Sequence, residues 1–175
     1  WFGWFGFNAG SALTAGGLAS NAFIATNTSA AAAGFTWMIL GWINRRPSVL
    51  GAATGAVVGL VAITPAAGFV PVWAAIPIGT IASLISYYLM VWRARSSKID
   101  ESLDVFACHG MGGIWGALAT GIFATQTVNS AGSGLMDGNW HQVLIQMIAA
   151  IASMAYAFVV SWLLAQALKA TMGLR

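Results

Sequence analysis

The sequence has 175 residues, of which 59% are hydrophobic and only 6% are charged. A soluble globular domain carries about 25% charged residues, so this composition excludes an ordinary cytoplasmic enzyme, a disordered segment and a nucleic-acid-binding domain. The net charge of +3 rests on seven basic and four acidic side chains. The single cysteine, Cys108, excludes a disulfide framework and a cysteine-rich metal site.

Long apolar segments follow one another along the chain, and a membrane-crossing helix needs roughly 17–25 such residues. A partial segment comes first, at residues 1–13, and because Trp1 opens inside it we expect the sequence to belong to a longer protein. Five full spans are predicted after it, at residues 21–43, 48–64, 72–92, 104–125 and 141–168. Their long uninterrupted apolar runs favour helices over the alternating strands of an outer-membrane barrel. The predicted fold is an all-α polytopic membrane protein.

Basic residues occur only in alternate connections between the predicted spans. The connections after the first, third and fifth full spans hold all seven: Arg45, Arg46, Arg93, Arg95, Lys98, Lys169 and Arg175. The intervening connections, 65–71 and 126–140, contain no Lys or Arg. We call the first set the basic end and the second set the non-basic end. The positive-inside rule predicts that the basic end is cytoplasmic in a multi-pass protein of the cell membrane.

Small residues recur at helical spacing within these spans. The series are Gly51, Gly55 and Gly59; Gly112 and Gly116; and Gly113, Ala117 and Gly121. Such stripes let helix backbones approach closely in a bilayer, so we predict that they form helix–helix contacts. Room along a pore is the alternative interpretation, and both stay open at this point.

His109 is an ionisable residue within the predicted span 104–125. Such residues are costly in a bilayer and usually face a cavity or a partner side chain. Two interpretations stay open, a functional group in a pathway or a structural histidine bonded to a neighbouring helix. His141 follows Trp140 at the predicted extracytoplasmic mouth, where a solvated surface role is expected. The two histidines are not expected to share a metal ion, since such sites use three or four ligands.

Two shorter segments suggest binding roles. Residues 4–11 combine aromatic faces, which attract cations, with an amide and a hydroxyl that hydrogen-bond to small polar solutes. An interfacial aromatic belt is the other interpretation of this segment. Residues 93–101 mix basic and acidic side chains, which is typical of a solvated loop and is also compatible with docking of a regulator.

Four motifs occur in a fixed order along the chain. They are WFGFNAGS at 4–11, GLVAITPAAG at 59–68, DVFACHGMGGIWG at 104–116 and TGIFA at 120–124. In order and spacing they resemble the second half of the ammonium transporter (Amt/Mep/Rh) family, on its Amt branch, and the resemblance extends over residues 1–175 as one transmembrane domain. It implies an eleven-helix protomer with two inverted five-helix halves around a central pore, assembled as a trimer. The upstream half is expected in the part of the longer protein that precedes Trp1.

The resemblance also implies roles for individual residues. His109 matches one member of a histidine pair in the pore, where it accepts or relays a proton. Phe7 matches a phenylalanine of the outer gate, and Ser11 matches the hydroxyl of the outer ammonium recruitment site. The remaining matches are Trp4 as a pore-lining residue, Val105 in the lower pore lining and Thr64 in the outer-loop turn.

The function that the resemblance implies is transport of ammonium or ammonia, with no enzymatic reaction, metal or cofactor. An ammonium sensor of the same fold and an Rh-type gas channel are the alternatives. The implied partners are membrane lipid, further copies of the chain in a homotrimer, and a PII-type signal protein that docks on Arg45, Arg46 and the 93–101 loop. No nucleic acid is expected.

Overall fold

The computed structural model describes residues 1–44, 46–95 and 101–173. Within these ranges the regular structure is helical throughout. The α-helices are α1 (Phe2–Gly10), α2 (Gly17–Asn44), α3 (Val49–Ile63), α4 (Ala75–Arg95), α5 (Met111–Phe123) and α6 (His141–Thr171). Two short 3₁₀ turns, Val72–Ala74 and Leu135–Asp137, precede α4 and α6, and a π-helical turn, Phe106–Gly110, precedes α5. The prediction of an all-helical chain is confirmed.

Three of the five predicted full spans have the length and hydropathy that a membrane crossing requires. They are Gly17–Asn44, Val72–Arg95 and His141–Thr171, with 28, 24 and 31 residues. Helix α3 has 15 residues, so it extends for about 22 Å and is shorter than the hydrocarbon layer of about 30 Å. It begins at the expected place, since Ser48 caps it by accepting the Gly51 N–H at 3.0 Å.

The predicted span 104–125 is helical but is not one regular α-helix. Asp104 adopts the left-handed backbone conformation, with φ of 51°, and the first helical turn after it is a π turn. At the other end, Ala124 is extended and terminates α5. Because a non-glycine residue pays a steric cost at positive φ, this conformation requires support from its surroundings. The support is an ion pair, in which Arg93 approaches the Asp104 carboxylate at 2.7 Å.

Long-range contacts confirm that α2, α3 and α4 alternate in direction. Near the end of α2 that Arg46 follows, the Tyr87 hydroxyl donates to the Leu40 carbonyl at 3.2 Å. At the opposite end, Asn21 donates to the carbonyl groups of Ala67 and Val70 in the connection between α3 and α4. Of the basic residues, Arg45, Lys98 and Arg175 lie outside the described residues.

Ser29 of α2 lies where α3 and α4 cross that helix. Its hydroxyl donates to the Gly59 carbonyl at 2.8 Å. A Cβ atom added to Gly59 or to Gly79 would overlap the carbonyl oxygen of Ser29. The absence of side chains at these two glycines therefore permits the close packing of three helices, as expected for small residues in a bilayer.

The other predicted small-residue stripes behave in two ways. Gly55 packs against Trp37 of α2, Gly116 packs against Ala62 of α3, and Gly121 packs against the start of α6. These contacts confirm the packing interpretation. Gly113 differs, because nothing among the described residues lies within 4 Å of the position its Cβ would take.

Candidate functional site

A cavity of about 250 Å³ opens at the non-basic end of the helices. It lies between α1, the start of α2 and the turn that follows α3, and Asn129 from the connection between α5 and α6 closes one side. Phe7, Ser11 and Thr64 all line it, so the structure brings together three of the residues that the sequence singled out. We call this space the non-basic-end cavity.

Phe7 and Ser11 lie at the mouth of the non-basic-end cavity. Both side chains are exposed, and the Ser11 hydroxyl donates to the Phe7 carbonyl at 2.6 Å because Ser11 follows Phe7 by one helical turn. A hydroxyl whose hydrogen is donated in this way still has oxygen lone pairs that accept hydrogen bonds. The arrangement therefore offers an acceptor beside an exposed aromatic ring, two groups that suit a small cation carrying N–H bonds.

Trp4 lies one turn before Phe7 on α1 and is half-buried. Its indole N–H donates to the Thr64 hydroxyl at 2.7 Å, and Thr64 in turn donates to the Leu60 carbonyl at 2.8 Å. The rings of Trp4 and Phe7 meet edge to face, with centroids 6.1 Å apart. Thr64 therefore fixes one side of the aromatic pair and joins α1 to the end of α3.

The turn after α3 is held by groups that the sequence analysis did not single out. Asn129 donates to the Gly68 carbonyl at 3.1 Å, and the backbone N–H of Thr125 donates to the Phe69 carbonyl at 2.9 Å. Asn21 supplies the two further bonds described above. These donors pair carbonyl groups that would otherwise be costly to bury, and they fix the wall of the non-basic-end cavity.

Asn8 also belongs to this site, although the sequence analysis included it only as the amide of segment 4–11. It is buried, lines the non-basic-end cavity and donates to the Thr26 hydroxyl at 3.0 Å. The sequence does contain a signal for it. An Asn is costly to bury in an apolar segment, and this one lies on the same short helix as Trp4 and Phe7.

His109 lies on the π turn that precedes α5. Its side chain is exposed, while Ala107 and Cys108 of the same turn are buried against α3 and α4. Val105, directly before the turn, is half exposed. Neither His109 nor Val105 lines the non-basic-end cavity within the described ranges. The structure therefore divides the predicted residues between two places.

His141 is the first residue of α6 and is exposed. Its ring lies 3.9 Å from that of Trp140, centroid to centroid. In the parts of the chain that the structure describes, no group of three or more His, Cys, Asp or Glu side chains could hold a metal ion.

The family model of the ammonium transporter family matches residues 1–175. The chain belongs to that family. It is 54% identical over 175 residues to the ammonium transporter Amt1 of Archaeoglobus fulgidus, and 48% identical over 166 residues to an ammonium transporter of Bacillus subtilis. These alignments include 100% and 94% of this chain, but only 44% and 41% of the two relatives.

Solved structures agree with the sequence relationship. The crystal structure of Saccharomyces cerevisiae Mep2 superposes with a TM-score of 0.92 at 35% identity, over 98% of this chain and 40% of that one. A protein described as a sensor Amt protein superposes with a TM-score of 0.87 at 32% identity, over 100% of this chain and 43% of that one. The chain is thus an all-α polytopic membrane protein that spans less than half the length of these relatives.

Proposed function

We propose that this chain forms part of a pathway that carries ammonium or ammonia across the cell membrane. The observation that carries the proposal is the non-basic-end cavity, where Phe7, Ser11 and Thr64 meet beside Trp4. The membership of the chain in the family supports the same conclusion.

Recruitment of ammonium takes place at the mouth of this cavity. The face of Phe7 attracts the cation, by about 0.5–2 kcal/mol depending on how far water is excluded. The Ser11 oxygen accepts one N–H bond, since its own proton is engaged by the Phe7 carbonyl. Hydrogen bonding favours ammonium over potassium, which carries no N–H groups.

Passage beyond the mouth requires loss of charge. A bare cation in an apolar channel costs many kcal/mol, so the group releases its proton instead. Phe7 and Trp4 exclude bulk water at the entrance, His109 accepts or relays the proton, and Val105 lines the lower part of the pathway. Imidazole suits this role because it exchanges protons near neutral pH.

The pathway is completed by segments beyond this chain. His109 is exposed in the described structure, and an isolated ionisable group facing lipid would be costly. We therefore propose that another segment of the full-length protein faces His109 and contributes the second histidine, and that three protomers assemble. Analytical ultracentrifugation of the full-length protein in detergent tests the trimer, and a monomer would contradict it.

A PII-type signal protein is the proposed regulator at the basic end, where Arg46 is exposed beside the start of α3. Pull-downs with the organism's own PII proteins test this proposal. Binding that responds to ATP or ADP supports it, and absence of such binding would contradict it.

The experiment on transport uses the full-length protein in proteoliposomes. Wild type is expected to carry ammonium and not potassium. His109→Gln keeps hydrogen-bonding capacity but removes the titratable group, so we expect a folded trimer that loses transport or loses discrimination against potassium. His141→Gln is the matched control, since that histidine is an exposed residue at the start of α6, and it should behave as wild type. Unaltered transport and selectivity in a folded His109→Gln trimer would contradict the role of His109.

Sensing is a second candidate function, because one structural neighbour is described as a sensor Amt protein. The same proteoliposomes distinguish the two. A full-length protein that binds ammonium but carries none of it, in a preparation with confirmed trimers, would favour sensing over transport.

A further inference from the structure

Two serines of α4 form equivalent hydrogen bonds to different neighbours. Ser83 and Ser86 are both fully buried. The Ser83 hydroxyl donates to the Ala33 carbonyl of α2 at 2.9 Å, and the Ser86 hydroxyl donates to the Ala107 carbonyl at 2.7 Å. Ala107 lies within the π turn, two residues before His109. Ser86 is therefore attached to the backbone that carries the candidate proton-handling group.

The π turn is a local departure from the α-helix that needs an external partner. Its wider ring is closed by the Met111 N–H, which donates to the Phe106 carbonyl rather than to that of Ala107. Single π turns within helices are rare and concentrate at functional sites. The turn packs against α3 and α4, and the Ser86 hydroxyl is the side-chain donor that α4 directs to it.

We propose that Ser86 is a positioning residue that holds the π turn and thereby sets the direction of the His109 imidazole. The inference rests on the proposed transport function only for the expected effect on transport. The hydrogen bond from Ser86 and the π turn itself do not depend on that function. Without the hydroxyl, the buried Ala107 carbonyl loses its donor, and the turn is free to narrow to an α-helical ladder. The π turn holds one residue more than an α-helical turn. Its conversion to an α-helical turn therefore rotates the preceding side chains by about 100° about the helix axis. His109 would then leave the face on which it is exposed.

The experiment compares Ser86→Ala with Ser83→Ala in the full-length protein. Both variants remove one buried hydroxyl from the same helix, so their losses of thermal stability should be similar. Only Ser86→Ala is expected to reduce ammonium transport, by about tenfold or more, because a small misplacement of a reacting group has effects of that size. Only this variant should also shift the pH dependence of transport. Ser86→Thr retains a hydroxyl and should restore both properties.

A second measurement, the rate of cysteine labelling, does not depend on transport. His109→Cys, in a background where Cys108 is Ser, is labelled with a small methanethiosulfonate reagent, with and without Ser86→Ala. A changed labelling rate with Ser86→Ala, and an unchanged rate with Ser83→Ala, supports the positioning role even if the wild-type protein carries no ammonium. Equal transport and equal labelling in the two alanine variants would overturn it. If Ser86→Ala fails to assemble, Ser86→Cys, whose thiol is a weaker donor, takes its place in the transport and pH measurements. It is not used in the labelling measurement, because its own thiol would react with the reagent.

Discussion

The indole N–H of Trp4 and the hydroxyl of Thr64 form a hydrogen bond of 2.7 Å between residues 60 positions apart. The bond joins the first helix of the chain to the end of α3, at the wall of the non-basic-end cavity. Because Thr64 also donates to Leu60, its oxygen serves as acceptor and donor at once. The position of the Trp4 ring, and with it the Phe7 ring that meets it edge to face, depends on this one hydroxyl.

Replacing Thr64 by valine is expected to weaken recruitment of ammonium. Valine keeps the shape of threonine but leaves the half-buried Trp4 N–H without its acceptor, which costs about 1–3 kcal/mol. If part of this cost appears in binding, the ammonium concentration for half-maximal transport rises about 3- to 10-fold. Thr36→Val is the control, since the bond that Thr36 makes to the Ala32 carbonyl stays within its own helix. An equal effect of the two substitutions would contradict the role of Thr64.

The turn after α3 should lose stability when Asn21 is replaced. Its amide donates to two carbonyl groups, at 3.1 and 2.9 Å, and leaving them without a donor costs about 1–3 kcal/mol. Asn21→Ala and Asn21→Asp should therefore both lower the midpoint of thermal unfolding in detergent. Asn44→Ala is the control, because the bond that the Asn44 amide makes to the Leu40 carbonyl stays within its own helix. A midpoint that is as low for Asn44→Ala would show that the turn is held in another way.

Local sequence patterns predicted the structure well where the pattern lies on one helix face or in one connection. The charge alternation anticipated the antiparallel order of α2, α3 and α4, and the stripe from Gly51 to Gly59 anticipated the packing against α2. Each of these signals lies within one helix or one connection, so it can be recognised from the sequence alone.

Features that depend on distant partners were not predictable in this way. The π turn depends on the left-handed conformation of Asp104, which is supported by Arg93 of another helix. The donors from Asn21 and Asn129 bind carbonyl groups 46 to 61 positions away, and backbone carbonyls leave no pattern in the sequence. The roles proposed for Phe7, Ser11 and His109 came from resemblance to a family rather than from periodicity.

The orientation of the chain in the membrane is a prediction that two exposed serines can test. Ser102 lies near the basic end and Ser130 lies in the connection at the non-basic end. In a full-length background with Cys108→Ser, Ser130→Cys should react with an impermeant maleimide in intact cells. Ser102→Cys should react only after the cells are permeabilised. The reverse pattern would overturn the prediction that the basic end is cytoplasmic.

Gly79 should tolerate no side chain, because it lies against Ser29 where α4 crosses α2. The methyl group of Gly79→Ala would overlap the Ser29 carbonyl, and relief requires the two helices to separate. Overpacking of this kind typically costs about 1–3 kcal/mol. We expect a lower midpoint of thermal unfolding and a smaller yield of assembled full-length protein.

Gly34→Ala is the matched control for this prediction. Gly34 lies on α2 and faces α3, and the nearest atoms to its added Cβ are 3.5 to 3.7 Å away, which is ordinary van der Waals contact. Alanine also favours the helix over glycine by up to about 1 kcal/mol, so this variant should be at least as stable as wild type. Two variants of equal stability would mean that α2 and α4 are not held at contact distance by their small residues. A loss confined to Gly79→Ala would locate the close approach at Ser29, where the backbones of α3 and α4 both meet α2.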